Sequence, residues 1–291
     1  MTVQRGMNLS SEDSTFAEYL AKYGKSYDTK EEYEYRRELF NKEFEDIMSH
    51  NAQNDVTWFR AVNKFTDMTP VEINRYLGGG LRNEERPHIE EQSDYETLDH
   101  AYEASNGGVD WRGYMNPVRD QGQCGSCWAF ASVATTEGRY SIKHGGSKVA
   151  LSEQQLVDCS RSVGNQGCNG GWASKALQWL QANGAASRAS YPYTARDGSC
   201  KKGTIAARIT GVSGVSNAKN AIAGGPVAVY VQAQGGFMSY GGGIYNGVCG
   251  QYDHAVTAVG WGQSGNTEYW IIRVQINGNC RITFDSFPST A

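Results

Sequence analysis

The chain has 291 residues, room for one large domain or two ordinary ones; 39% hydrophobic and 20% charged residues allow a packed core and exclude wholesale disorder. A formal net charge of −4 offers no footprint for nucleic acid or an anionic membrane, so neither is expected as a partner. No stretch approaches the ~18 consecutive apolar residues of a membrane span, and the start, MTVQRGMNLSSEDSTF, shows no apolar run of secretory-signal length.

Residues 13–77 differ in kind from the rest of the chain. They lack cysteine, are dense in Glu, Lys, Arg and Tyr, and read as a helical unit. Phe16, Tyr19 and Leu20 predict a short amphipathic helix that ends near Gly24. Over residues 31–51, Phe40, Phe44 and Ile47 recur at i, i+4 and i+7, a stripe that faces a core. Residues 78–105 are glycine-bounded, acidic and without periodicity, which predicts an exposed, cleavable linker. Residues 106–291 form the remaining unit. Its first half, about 110–205, carries predicted helices at 127–140 and 172–182. Its second half, about 206–291, has short β-type runs (PVAVYVQA, HAVTAVGWG, EYWIIRV) separated by glycines. The fold class is α+β.

All seven cysteines (124, 127, 159, 168, 200, 249 and 280) lie after residue 120. An odd number clustered in one region suggests three disulfides and one free thiol. The C-x-x-C of QGQCGSCWAF (121–130) admits three readings: half of a zinc site, a redox dithiol, or a structural cysteine beside a reactive one. Zinc needs four ligands, yet the other cysteines are isolated and none of the five histidines pairs with another at ligand spacing. A redox dithiol belongs early in a βαβ unit, and the predicted elements do not alternate that way. The third reading fits better. Cys127 would open a helix, where the dipole and free N–H groups favour a thiolate. His254, the only histidine of the β half, would be its partner base.

Together with CNGG at 168–171 and DHAVTAVGWG at 253–262, QGQCGSCWAF resembles the papain-like cysteine proteases of cathepsin L type. The front unit supports the resemblance. Glu32, Arg36, Phe40, Ile47 and Asn51 fall at the spacing of that family's inhibitory propeptide, with Glu43 where Asn is usual. Asn63, Phe65 and Asp67 match its second motif, with Ala61 where Gly is usual. The resemblance implies a helical propeptide before a papain-like two-domain fold, with a helical left domain and a β-barrel-like right domain. It implies a cysteine endopeptidase made as a zymogen, acting on polypeptides, inhibited by its own propeptide, and working as a monomer in a lysosomal, vacuolar or extracellular setting. No cofactor and no metal is implied.

Residue by residue, the resemblance makes Cys127 the nucleophile, His254 its ion-pair partner and proton donor, and Gln121 the oxyanion-hole side chain. Gly170 and Gly171 would pair with substrate backbone. Trp172, Ala173, Tyr230, Asp253 and Ala255 would line the cleft, with Tyr230 bulky for its pocket. Asp285 would form the pocket floor, or Phe284 if the count runs back from Ser286-Phe287-Pro288. The implied disulfides are Cys124–Cys168, Cys159–Cys200 and Cys249–Cys280, leaving Cys127 free. One segment departs from the pattern. The family's histidine-orienting Asn and the Ser-Trp after it are missing, because EYWIIR (268–273) runs through Val274, Gln275 and Ile276 into NGNCRITFDSFP. The right domain is therefore expected to be truncated, and a catalytically impaired, peptide- or protease-binding homologue is the alternative reading.

Overall fold

The computed structural model describes residues 16–78, 108–215, 217–247 and 252–274, with the backbone of 103–104 and 278–283. Helix α1 (Phe16–Tyr23) ends at Gly24, as its pattern predicts. Helix α2 (Lys30–Asn51) starts where the Thr29 hydroxyl accepts the Glu32 N–H at 3.1 Å. Phe16 and Tyr19 of α1 pack on Phe40 and Ile47 of α2 and on Val62, so the predicted stripe does face a small core of its own. Strand β1 (Trp58–Arg60) and the short helix α3 (Pro70–Ile73) complete the front unit.

One ion pair ties α3 back to α2. The Arg36 fork donates to both Glu72 carboxylate oxygens at 2.6 Å, while Glu72 also closes the Thr69 capping box. The Arg36 hydrogen bonds, with those from Thr69, hold the Glu72 carboxyl down at about 2. A carboxylate depressed in the folded state adds stability above its unfolded value, near 4.5, and loses it as pH falls toward 2. Glu72→Gln is expected to cost ~2 kcal/mol at pH 7 and nearly as much at pH 5.5. Thermal unfolding at the two pH values checks this; a penalty that has vanished by pH 5.5 would contradict it.

Next come β2 (Glu103–Ala104) and β3 (Gly108–Asp110), then α4 (Cys127–Lys143), α5 (Glu153–Cys159) and α6 (Ala173–Asn183). These helices form the helical half. Disulfides Cys124–Cys168 and Cys159–Cys200 cross-link it, each closing a loop that by chain entropy stabilises it by about 4 kcal/mol. Arg119 donates to both oxygens of the buried Glu137 at 2.6 and 2.7 Å, joining the segment before α4 to the helix. After the small ribbon β4 (Ala185–Ala186) and β5 (Ile205–Ala207) comes α7 (Ala218–Ala223). The remaining strands are β6 (Val227–Val231), β7 (Tyr240–Tyr245), β8 (His254–Ser264), β9 (Thr267–Val274) and β10 (Gly278–Thr283).

The strands of the large sheet run β1-β7-β10-β9-β8-β3-β2. Strand β8 splits its free edge, pairing with β6 over 254–258 and with β3 over 260–261. The path has two ends, so among the described residues the sheet is open; it has not closed into the barrel-like form expected for the right domain. Two further features qualify the expectations. β1, from the front unit, adds itself antiparallel to β7, so front unit and β half share one sheet. Residues 278–283 form β10, which pairs antiparallel with β9 from Gly278 opposite Val274 to Thr283 opposite Tyr269.

The front unit is also held side chain to backbone. Asn63 Nδ2 donates to the Met238 carbonyl at 2.7 Å, and Arg60 Nε reaches Ser239 Oγ at 2.7 Å. Asn51 brackets the Arg60 peptide with two bonds, at 2.8 and 2.9 Å, and Glu43 takes the Arg60 guanidinium at 2.7 Å. Glu43, Asn51, Arg60 and Asn63 thus aim β1 at β7.

Candidate active site

Helix α4 begins at Cys127, as predicted, and β8 begins at His254. Both side chains are fully buried where the helical half meets the sheet. The Cys127 sulfur accepts the Ala255 N–H at 3.3 Å. Among the described residues no hydrogen bond joins it to His254, and neither ring nitrogen of that imidazole has a partner there. In this covered form burial opposes charge on both groups. Desolvation pushes the Cys127 thiol up to about 12, outweighing N–H donors from Ala255, Gly78 and Trp128 that pull it down. Desolvation likewise pushes His254 down to about 3. Burial thus favours the uncharged form of each group.

What covers the pair is the end of the front unit. Gly78, the first residue of the stretch read as a linker, is instead packed into the cleft: its carbonyl accepts the Gly171 N–H at 3.2 Å. A Cβ on Gly78 would lie 1.9 Å from the Gly125 carbonyl oxygen, so only glycine fits. Gly171 is equally constrained, since its Cβ would lie 2.8 Å from the Trp128 ring. Two residues before Gly78, the Tyr76 carbonyl accepts the side-chain amide of Gln121 at 2.7 Å, and the same nitrogen reaches the Cys124 carbonyl at 3.0 Å. Gln121 is fully buried. Its amide, the Gly171 N–H and the Cys127 sulfur all engage the backbone of one covering segment, residues 76–78, as a peptide-binding cleft would.

Gly170 has a φ of +112° and precedes Trp172, which holds the N-cap position of α6. Ala173 N–H donates to the Tyr230 hydroxyl at 2.7 Å, and Tyr230 lies opposite Ala255 across β6 and β8. Asp253 turns toward the sheet, where its Oδ1 accepts the Ala233 N–H at 2.7 Å, and burial pushes its carboxyl up to about 6. Asp285, its alternative Phe284, and Cys249 of the expected Cys249–Cys280 bridge lie outside the described residues, as does the side chain of Cys280. Among the described residues Cys127 is the free cysteine. Sequence reasoning missed Tyr76 and Gly78, for which the glycine run 78–80 was the available signal. It also missed Asn165, whose side-chain oxygen accepts the Trp172 N–H at 2.8 Å and sets the start of α6.

Comparison with known proteins fits this arrangement. Residues 106–277 match the papain family cysteine protease domain, and residues 16–73 match the cathepsin propeptide inhibitor domain I29. The chain is similar to digestive cysteine proteinase 2 of Homarus americanus, 38% identical over 286 residues, covering 92% of this chain and 87% of that one. It is similar to caricain of Carica papaya, 40% identical over 270 residues, covering 89% and 76%. Among solved structures, a recombinant stem bromelain precursor superposes with a TM-score of 0.82 at 34% identity, over 95% of this chain and 93% of that one. Digestive procathepsin L2 from the larval midgut of Tenebrio molitor gives 0.82 at 33% identity, with 92% of each chain covered. The peptidase match spans more than half of the residues, and the inhibitor domain precedes it in the same chain. This chain belongs to the papain family of cysteine proteases and carries a cathepsin-type propeptide inhibitor domain.

Proposed function

We propose that the chain is the zymogen of a cysteine endopeptidase in which Cys127 is the nucleophile, His254 its base and acid, and Gln121 an oxyanion donor. One observation carries the reading. The Gln121 amide, the Gly171 N–H and the Cys127 sulfur already engage a peptide backbone, that of residues 76–78. Once that strand leaves, water returns to the cleft and the thiol proton can pass to the imidazole. The thiolate then adds to a substrate carbonyl carbon, and the oxyanion is met by the Gln121 amide and the Cys127 N–H. Collapse breaks the C–N bond; the leaving amine takes its proton from His254. Water, deprotonated by His254, hydrolyses the thioester and frees the acid product and the thiol.

Relatives named as digestive proteinases support a lysosomal, vacuolar or extracellular site of action on polypeptides. The mature protease is expected to act as a monomer. A second reading, a catalytically silent peptide-binding homologue, is favoured by one finding: the described neighbours of His254 include nothing that holds its ring. Iodoacetamide labelling of Cys127 across pH 4–8, after an added protease has removed the propeptide, separates the two. Labelling well below pH 8 is expected, because an imidazolium-paired thiolate persists in acid. Labelling only above pH 8 would leave the silent homologue.

A further inference from the structure

The phenol of Tyr193 joins two points of the loop that leads into α4. Its O–H donates to the Gln121 carbonyl at 2.6 Å, and its oxygen lies 2.6 Å from the Ser126 hydroxyl. Since the phenol's single proton goes to Gln121, Ser126 is the donor of the second bond. The Cys124 carbonyl, the other acceptor near Ser126 Oγ, is farther off at 3.4 Å. Between Gln121 and Ser126 the loop is pinned by the Cys124–Cys168 disulfide, and the Gly125 N–H donates to the Cys168 carbonyl at 2.9 Å. Tyr193 thus ties together the two residues on either side of that pin.

The phenol is itself held from behind. Its ring meets Phe130 edge-on, with centroids 4.8 Å apart and planes at 89°, and the Arg188 guanidinium lies 5.9 Å from its centroid. Gln154 of α5 brackets the peptides that follow: it accepts the Thr194 N–H at 2.9 Å and donates to the Arg196 carbonyl at 2.8 Å. Ala195, between them, has a φ of +53°, a conformation that non-glycine residues keep only where neighbours enforce it. It sits against Gly122, where an added Cβ would lie 3.0 Å from the Ala195 Cβ. Residues 193–196 therefore form a firm backing for the loop.

The backing bears on the aim of two N–H groups. The Gln121 side chain is held through its nitrogen: Oε1 has no partner among the described residues, and Nε2 donates to the carbonyls of Tyr76 and Cys124. Once residues 76–78 leave, the Cys124 carbonyl remains, and the amide points where the Gln121 backbone puts it. Ser126 governs the other donor. Its carbonyl accepts the Ala129 and Phe130 N–H groups, and the planar peptide it shares with Cys127 turns the Cys127 N–H the opposite way. We propose that Tyr193 is a positioning residue of the oxyanion site: its phenol fixes Gln121 and Ser126 relative to each other, so that the Gln121 amide and the Cys127 N–H converge on one oxygen. The proposal rests on the reading of the chain as a protease.

The test compares Tyr193→Phe with the unmodified protein on a peptide amide substrate. Both are folded as the full chain, and an added protease then removes the propeptide and is itself removed. Phenylalanine keeps the ring on Phe130 and deletes the hydroxyl. Its kcat is expected to fall roughly 10–100-fold, less than for a deleted oxyanion donor, with KM unchanged within about twofold. Iodoacetamide labelling of Cys127 forms no oxyanion, so its rate is expected to stay within about twofold. In a Gln121→Ala background the same deletion is expected to cost at most about threefold, because a donor it aims is gone. An unchanged kcat in Tyr193→Phe, or the full loss repeated on top of Gln121→Ala, overturns the inference and leaves the protease reading standing. Slower iodoacetamide labelling of Tyr193→Phe would show a distorted cleft and overturn it as well. If the unmodified protein labels at Cys127 yet cleaves no peptide, the protease reading falls and this inference with it.

Discussion

Full-length chain carrying Cys127→Ser is expected to keep its propeptide at pH 4–5, while the unmodified chain cleaves itself within the 78–105 linker. Serine leaves one oxygen in place of sulfur but removes a nucleophile that can ionise beside an imidazole, and such losses cost ~10⁴–10⁶ in rate. Denaturing gels with mass measurement of both chains over the same hours decide it. Equal loss of the propeptide would mean another protease, or simple acid hydrolysis, does the cutting. The absolute rate of the unmodified chain is expected to be modest. Neither His254 nitrogen is held by a described neighbour, and a ring free to rotate spends less time aimed at the sulfur. In serine proteases the orienting carboxylate is worth ~10⁴; a neutral orienting amide carries less charge and should matter less.

The second large effect concerns how acid opens the cleft. In the covered form burial holds His254 at about 3, whereas a solvated imidazole titrates near 6.5. The closed form takes no proton on this ring until pH approaches 3, while an opened form takes one from about 6.5 downward, so acidification favours opening. Between pH 6.5 and 4.5 the bias grows to roughly 100-fold, ~2.7 kcal/mol. Placing His254→Gln in the Cys127→Ser chain should remove that bias, because glutamine cannot be protonated. Hydrogen exchange at the β1 amides, compared at pH 4.5 and 6.5, reads the opening. Corrected for the slower intrinsic exchange in acid, opening should rise as pH falls in Cys127→Ser, and do so about 50-fold less when His254→Gln is added. Asp253, pushed up to about 6 by burial, titrates in both chains and cancels in the comparison. Equal acceleration in both would place the acid sensor elsewhere, and Glu72, held at about 2, is a poor candidate in this range.

Much of this arrangement is legible in the sequence because it rests on side chains at regular spacing. The Phe40–Ile47 stripe, the start of α4 at Cys127 and the Cys124–Cys168 and Cys159–Cys200 pairs all leave such marks. What escapes is carried by backbone or by surroundings. Gly78 works through its carbonyl and its lack of a Cβ, so in the sequence it looks like one more linker glycine. The neutral state of Cys127 and His254 depends on what lies over them, and no local motif encodes that. Strand β10 is legible only through its partner: GNCRIT has little strand pattern, and it is the pairing with β9 that places it in the sheet.

Maturation also changes the standing of β7. In the zymogen it is an interior strand, flanked by β1 of the propeptide and by β10. Losing the propeptide strips one flank, leaving an open row of peptide groups and the slot where Trp58 packs on Tyr245. Bare edges of this kind invite edge-to-edge pairing and aggregation. Here the edge carries Gly241, Gly242 and Gly243, the last two at φ values of +155° and +97°, and even β1 pairs along it only with a register shift between Phe59 and Arg60. The glycines that let β1 lie close in the zymogen would thus also protect the mature enzyme from sticking to itself.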